Sequence, residues 1–91
     1  MSKESRKLER IFKGVANHRR IDILFLIKKQ PEINLGEISE YLKCNLKTIA
    51  EHTRRLVIAG LVNKKRIDNT AAHLLSPYGK KIYQILKNFL K

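Results

Sequence analysis

The stretch NLGEISEYLKCNLKTIAEHTRRLVIAGLV, residues 34–62, decides the fold, because it reads as two short amphipathic helices joined by a tight turn. Each helix is announced by an asparagine. Asn34 precedes Leu35 and has Glu37 three positions on, which is the spacing of a capping box. Asn45 stands before Leu46 and can cap the second helix. Leu35, Ile38, Tyr41 and Leu42 supply the apolar stripe of the first helix, and Ile49, Thr53, Leu56 and Gly60 mark the buried side of the second. At about 100° per residue, the opposite side of that second helix carries Lys47, Thr48, Glu51, Arg54 and Arg55. Such a face fits a major groove, which admits one α-helix and offers it base edges and phosphates. A solvated basic face on an ordinary three-helix domain has the same pattern, so the helix pair alone does not separate the two readings.

The segment after the pair does separate them. Gly60 ends the helix, Leu61 and Val62 lead into Asn63-Lys64-Lys65-Arg66-Ile67, and Asp68-Asn69 precede Thr70 and Ala71-Ala72-His73-Leu74-Leu75. Asp-Asn between two short runs of this kind is a hairpin turn signal. A helix-turn-helix with a basic hairpin behind it is a winged helix, and the cations Lys64, Lys65 and Arg66 would set the wing over phosphates. Ser76 and Pro77 then restart a helix as N-cap and first helical residue.

Composition agrees. The 91 residues make a single domain, with the helix-turn-helix at 34–60, the wing at 61–75 and a last helix at 77–91. Twenty Lys and Arg against eight Asp and Glu give a net charge of +12, which suits a polyanionic partner. The cations are spread over every helix and the wing. A membrane-surface helix would instead gather them beside one large apolar face. The longest apolar run, Ile21 to Ile27, contains Asp22 and falls far short of the roughly 18 residues of a membrane span. The opening MSKESRKLER lacks the apolar segment of a signal peptide, and the single Cys44 excludes an internal disulfide framework. These features point to a cytoplasmic, nucleoid-associated protein.

Outside the motif, a first helix is expected from about Ser5 to Val15, with Leu8, Ile11, Phe12 and Val15 on one face and Gly14 near its end as terminator. Asn17 caps a second helix that is apolar on nearly every side through Ile21, Ile23, Leu24, Phe25, Leu26 and Ile27, so it belongs at the centre of the domain. Lys28-Lys29-Gln30-Pro31 stops it, and Glu32-Ile33 form an extended link able to join the hairpin as a third strand. The last helix carries Tyr78, Ile82, Ile85 and Phe89 on one line and Tyr83, Leu86 and Leu90 beside it, more apolar surface than one small core needs. The excess, with the face of the first helix, reads as a two-fold dimer contact made by Leu8, Ile11, Phe12, Ile82, Ile85, Leu86 and Phe89. The fold class is thus mainly α with a small β-hairpin wing: two helices, a short strand, the helix-turn-helix, two wing strands and a fifth helix.

Catalytic and metal chemistry find no constellation. His18, His52 and His73 are scattered, Cys44 has no nearby Cys partner, and the four glycines are isolated, so neither a metal site nor a phosphate loop is expected. No Ser or Cys has a His-Asp arrangement around it, and no cofactor or enzymatic activity is expected. His52, at the border of the polar face, reads equally as a phosphate contact or a packed histidine, and His73 on the wing is similarly ambiguous. Cys44 is expected to bury as a small hydrophobe.

FKGVANHRRIDIL (12–24), LGEISEYL (35–42) and LKTIAEHTRRLVIAGLV (46–62) resemble the ArsR-type winged-helix transcriptional regulators, in which Ala-Asn opens the second helix and the reading helix has a central His and closes on Ala-Gly-Leu-Val. HLLSPYGKKIYQIL (73–86) is similar to the wing exit and final helix of other prokaryotic winged-helix regulators. The likeness covers about residues 10–90 and rests on the order and spacing of its segments. It implies a homodimeric repressor bound to a palindromic double-stranded operator through Lys47, Thr48, Glu51 and Arg55, with the wing on flanking phosphates. Asn45, His52 and Arg54 complete the expected DNA-facing set. Metal sensing is not implied, because the family's Cys-x-Cys position holds Leu35-Gly36-Glu37 and no His comes after residue 73. Lys43 stands where a turn Gly is common, and Asp22 replaces a usual basic residue. Two rival readings are a low-specificity architectural DNA binder, favoured by the +12 charge, and a winged-helix protein adaptor, favoured only by an exposed Ile58.

Overall fold

The computed structural model describes residues 2–91. Five helices and one hairpin run in the order α1 (Ser2–Val15), α2 (His18–Lys29), α3 (Leu35–Leu42), α4 (Leu46–Ile58), β1 (Val62–Ile67), β2 (Thr70–Leu75) and α5 (Pro77–Asn88). The architecture is a winged helix-turn-helix. Helix starts are set by side chains that satisfy otherwise orphaned backbone N–H groups. The Asn17 side chain accepts from Arg19 and Arg20 N–H, Asn45 from Lys47 and Thr48, and Ser76 from Gly79. At α3 the full capping box is present, with Asn34 accepting from Glu37 N–H and the Glu37 side chain accepting from Asn34 N–H. α1 begins earlier than expected from its apolar periodicity, since nothing in Ser2-Lys3-Glu4 opposes helix and Glu4 suits the positive end.

The helices α3 and α4 end in the same way. Gly60, at φ 81°, lets Leu61 N–H reach Leu56 C=O and Gly60 N–H reach Val57 C=O. This closes the last turn with a left-handed residue. After α3 the left-handed residue is Lys43, at φ 51° and ψ 48°, with Cys44 N–H on Ser39 C=O and Lys43 N–H on Glu40 C=O. The turn is therefore the glycine type, built with a lysine. Ser39 Oγ donates to Cys44 C=O across it, and Cys44 itself is only half-buried.

The core is built around α2, as its all-round apolarity requires. Ile23, Leu24 and Ile27 meet Ile38 of α3, Ile49 and Leu56 of α4, and Leu61 and Val62 at the wing root, all of them essentially without exposure. Gly14 does not terminate α1. It lies inside the helix, where a Cβ would collide with Cβ of Ala59, so its role is to let α1 and the end of α4 touch. Gly79 plays the same part for α5, since a Cβ there would collide with the carbonyl oxygen of Leu61.

The hairpin pairs β1 with β2 antiparallel from Val62↔Leu75 to Ile67↔Thr70. Asp68 and Asn69 form its two-residue turn with φ of 49° and 66°, as a tight hairpin demands. The expected third strand shrinks to a single bridge, Ile33↔His73. Pro31 has no N–H to give, Glu32 takes a left-handed φ of 73°, and Asn34 is committed to capping α3, which leaves Ile33 alone in extended pairing. No helix of the described residues is long and apolar enough to cross a membrane.

Candidate nucleic-acid interface

The outer face of α4 is exposed where sequence periodicity places it. Lys47, Thr48, Glu51, Arg54 and Arg55 face solvent, while Ile49, Thr53 and Leu56 are buried on the other side. Asn45 commits its side-chain oxygen to the helix end at 2.8 Å from Lys47 N and 3.3 Å from Thr48 N. The cap thus fixes the start of α4, where Lys47 and Thr48 stand. Leu46, just beyond it, is half exposed, an apolar neighbour for Lys47 and Thr48 that periodicity alone does not bring into the site.

Glu51 has a definite task. Its carboxylate accepts from Arg54 Nε and Nη2 at 3.0 and 2.9 Å and from Arg55 Nε at 2.9 Å. It holds Arg55 across one turn, and Arg54 is held as well. The paired guanidiniums pull its pKa down to about 2, with the Arg54 hydrogen bond the larger cause. The face therefore presents an organised arginine fork, two guanidiniums gathered around one carboxylate.

On the wing, Lys64, Lys65 and Arg66 are all exposed. Alternation along β1 separates Lys65 from the other two, and Lys65 Nζ lies 3.5 Å from Glu32, which ties the wing to the link before α3. Lys64 and Arg66 have no such carboxylate partner among the described residues and face away from Lys65.

Two histidines resolve. His73 is buried and does not face a ligand. Its ring Nδ1 lies 2.9 Å from Ile33 C=O and its backbone N–H donates to the same oxygen at 3.0 Å, while its own carbonyl accepts from Glu32 N–H at 2.9 Å. Burial holds its pKa below the ordinary imidazole value, opposed by the Ile33 bond. His52 is half-buried behind the polar face, and Nδ1 accepts from Arg20 Nε at 3.2 Å. Of the two readings open for His52, this bond fits the packed histidine, and it engages Nδ1 without involving Nε2. Sequence reasoning misses Arg20, since no local pattern links a residue of α2 to one 32 positions away.

The second expected surface also separates into two layers. Ile11 and Ile82 are buried in the single chain at 7% and 5% exposure, so they support the α1–α5 contact from inside and do not form its outer face. Leu8, Phe12, Ile85 and Phe89 are exposed, with Leu86 half-buried behind them. Lys7 Nζ donates to the Tyr78 hydroxyl at 2.5 Å, clamping α1 to α5 beside a shallow groove of about 390 Å³. Among the described residues no group of three or more His, Cys, Asp or Glu is placed to hold a metal ion.

Comparison with known proteins agrees with this geometry. Residues 16–69 match the model of the MarR family, where the sequence segments point to the ArsR type. The transcriptional activator HlyU of Vibrio cholerae serotype O1 is 33% identical over 76 residues, covering 84% of this chain and 69% of its own. The solved structure of HlyU from Vibrio cholerae N16961 superposes with a TM-score of 0.86 at 29% identity, over 98% of this chain and 97% of that one. A winged helix-turn-helix domain of Mb0332 from Mycobacterium bovis, described as homodimeric and a possible ArsR-family regulator, has a TM-score of 0.88 at 20% identity, over 98% and 82% of the two chains, and shares the fold.

Proposed function

Because the chain belongs to the MarR family and is a winged-helix transcriptional regulator, we propose that it acts as a homodimeric repressor of ArsR-like character, inserting α4 into the major groove of its operator. The observation that carries the reading is the arginine fork around Glu51 on an exposed, N-capped helix. Lys47 and Arg55 are the donors for guanine edges, Thr48 meets a base or a thymine methyl, Asn45 and Arg54 face the backbone, and the wing reaches it with Lys64 and Arg66 from one side and Lys65 from the other. The ArsR-like character is supported by the segments 12–24 and 46–62 and by the likeness to the Mycobacterium bovis domain. The two-fold contact is supported by Leu8, Phe12, Ile85 and Phe89, apolar side chains left in water by a single chain.

Selection of bound sequences from random duplex DNA tests the assignment. A two-fold symmetric consensus is expected. Retention of a featureless pool would replace the regulator by a low-specificity architectural binder, and no retention at all would leave the adaptor. A footprint of the consensus overlapping its promoter is the expectation for a repressor. The Vibrio cholerae relative, a transcriptional activator, marks activation as the contrary outcome. On the selected site, Lys47→Ala or Arg55→Ala is expected to cost about 1–3 kcal/mol and relax base preference. Removing Lys64, Lys65 and Arg66 together is expected to weaken all sequences equally. The slope of log affinity against log salt should then flatten by about one unit per lost phosphate contact.

A further inference from the structure

One guanidinium ties α4 to the end of α1. Arg20, in the first turn of α2, donates from Nη1 to the carbonyls of Lys13 and Gly14 at 3.1 and 3.2 Å, and from Nε to Nδ1 of His52 on α4 at 3.2 Å. Those carbonyls belong to the last turn of α1, where a helix leaves its acceptors without internal partners and a cation is favoured. The third bond imposes a protonation state. An imidazolium has no acceptor, so His52 takes this bond only as a neutral ring with its proton on Nε2.

Resting on the reading of α4 as the helix that meets DNA, we propose that Arg20 is a positioning residue for sequence reading. It fixes α4 against the end of α1 through His52, and protonation of His52 releases that hold. The neighbouring charges agree. α2 contributes His18, Arg19 and Arg20 at this corner, and on the other side of Arg20 α1 lines a crevice with Glu9, Arg10 and Lys13, of which Glu9 and Lys13 pair at 3.4 Å. α4 itself contributes Glu51, already shared by two arginines, and Arg55. Burial first, then the charge of Arg20, holds the imidazole below its ordinary pKa, with Glu51 opposing, so the link is closed at neutral pH and opens as the solution is acidified. Opening adds a positive charge near the DNA-facing surface while loosening the helix. Affinity for arbitrary duplex should therefore hold or rise while discrimination falls. A histidine that merely touched phosphate would raise both affinities together.

The test compares the best duplex recovered by selection with a shuffled duplex of equal composition, at about pH 7.5 and about pH 5 and constant salt. The wild type is expected to lose about fivefold of its preference in acid, the scale of one lost hydrogen bond. His52→Asn keeps an acceptor where Nδ1 was and cannot charge, and should keep its preference throughout. Arg20→Met should show the reduced preference already at neutral pH. If it does not fold, Arg20→Lys, which retains charge without the fork, makes the same test. His18→Gln should keep the wild-type response. A wild-type preference that ignores pH, or a His52→Asn variant that tracks the wild type, overturns the proposal. An NMR titration of the His52 ring without DNA should show a higher midpoint in Arg20→Met, and an unchanged midpoint overturns the link. A protein with no preference for any duplex overturns the DNA-reading assignment instead, and the titration then decides the link by itself.

Discussion

Glu51 is an acid on the face of α4 proposed to meet DNA, and its cost there is offset by the order it imposes on Arg54 and Arg55. Its folded pKa of about 2 lies below the unfolded 4.5. Any stability it lends is present above about pH 4.5 and lost as pH falls toward 2, and it is small because the group is in water. Glu51→Ala is expected to raise affinity for random duplex and steepen the salt slope by about one phosphate contact, while preference for the selected site falls. An unchanged slope in an anisotropy titration would sink this account. His73 carries a separate pH signature. Its folded pKa is lowered by burial, so its contribution is complete above about pH 6.5 and is lost as pH falls through the folded value. The urea midpoint should fall on acidification, and by less in His73→Leu, which has nothing to titrate. Some fall persists in that variant because His52 is shifted in the same direction. The polar face of α4 is legible from sequence because helical period alone sorts it. The inward turn of His52 and the burial of His73 are not, since their partners Arg20 and Ile33 lie 32 and 40 residues away.

The elements divide along the same line. Asn17, Asn34, Asn45 and Ser76 each cap the helix that their position in the sequence announces, and Asp68-Asn69 make the expected turn, because capping and turn chemistry act within three or four residues. Gly14 reads as a terminator because a glycine that admits a neighbouring helix looks the same in sequence as one that ends its own; only Ala59 distinguishes them. The third strand fails at Pro31 and Asn34, whose own requirements leave no room for a ladder. Packing through glycine makes a sharp demand. In Gly79→Ala the new methyl would meet the Leu61 carbonyl, a backbone atom that cannot rotate away, so α5 must shift. A loss of about 1–3 kcal/mol in urea denaturation is expected. A neutral Gly79→Ala would mean that α5 rides loosely on the domain.

For the whole molecule the apolar end of α5 is decisive. Phe89 is 80% exposed and Leu90 76%, and Ile85, Leu8 and Phe12 are exposed as well, a large apolar surface for a 91-residue chain to leave in water. Phe89→Glu is expected to fold normally, sediment as a monomer and bind the selected duplex far more weakly. A wild type that sediments as a monomer at DNA-saturating concentrations removes the dimer. If the dimer stands, the contact at Gly79 acquires a geometric meaning. α5 would then carry the two-fold axis, and it abuts the Leu61 carbonyl, three residues past the end of α4, with no side chain between to act as a cushion. The pair of reading helices becomes a stiff caliper, its gap inherited from a backbone-to-backbone contact. One base pair inserted between half-sites displaces them by about 3.4 Å and turns them by about 35°, a mismatch such a caliper has no soft joint to absorb.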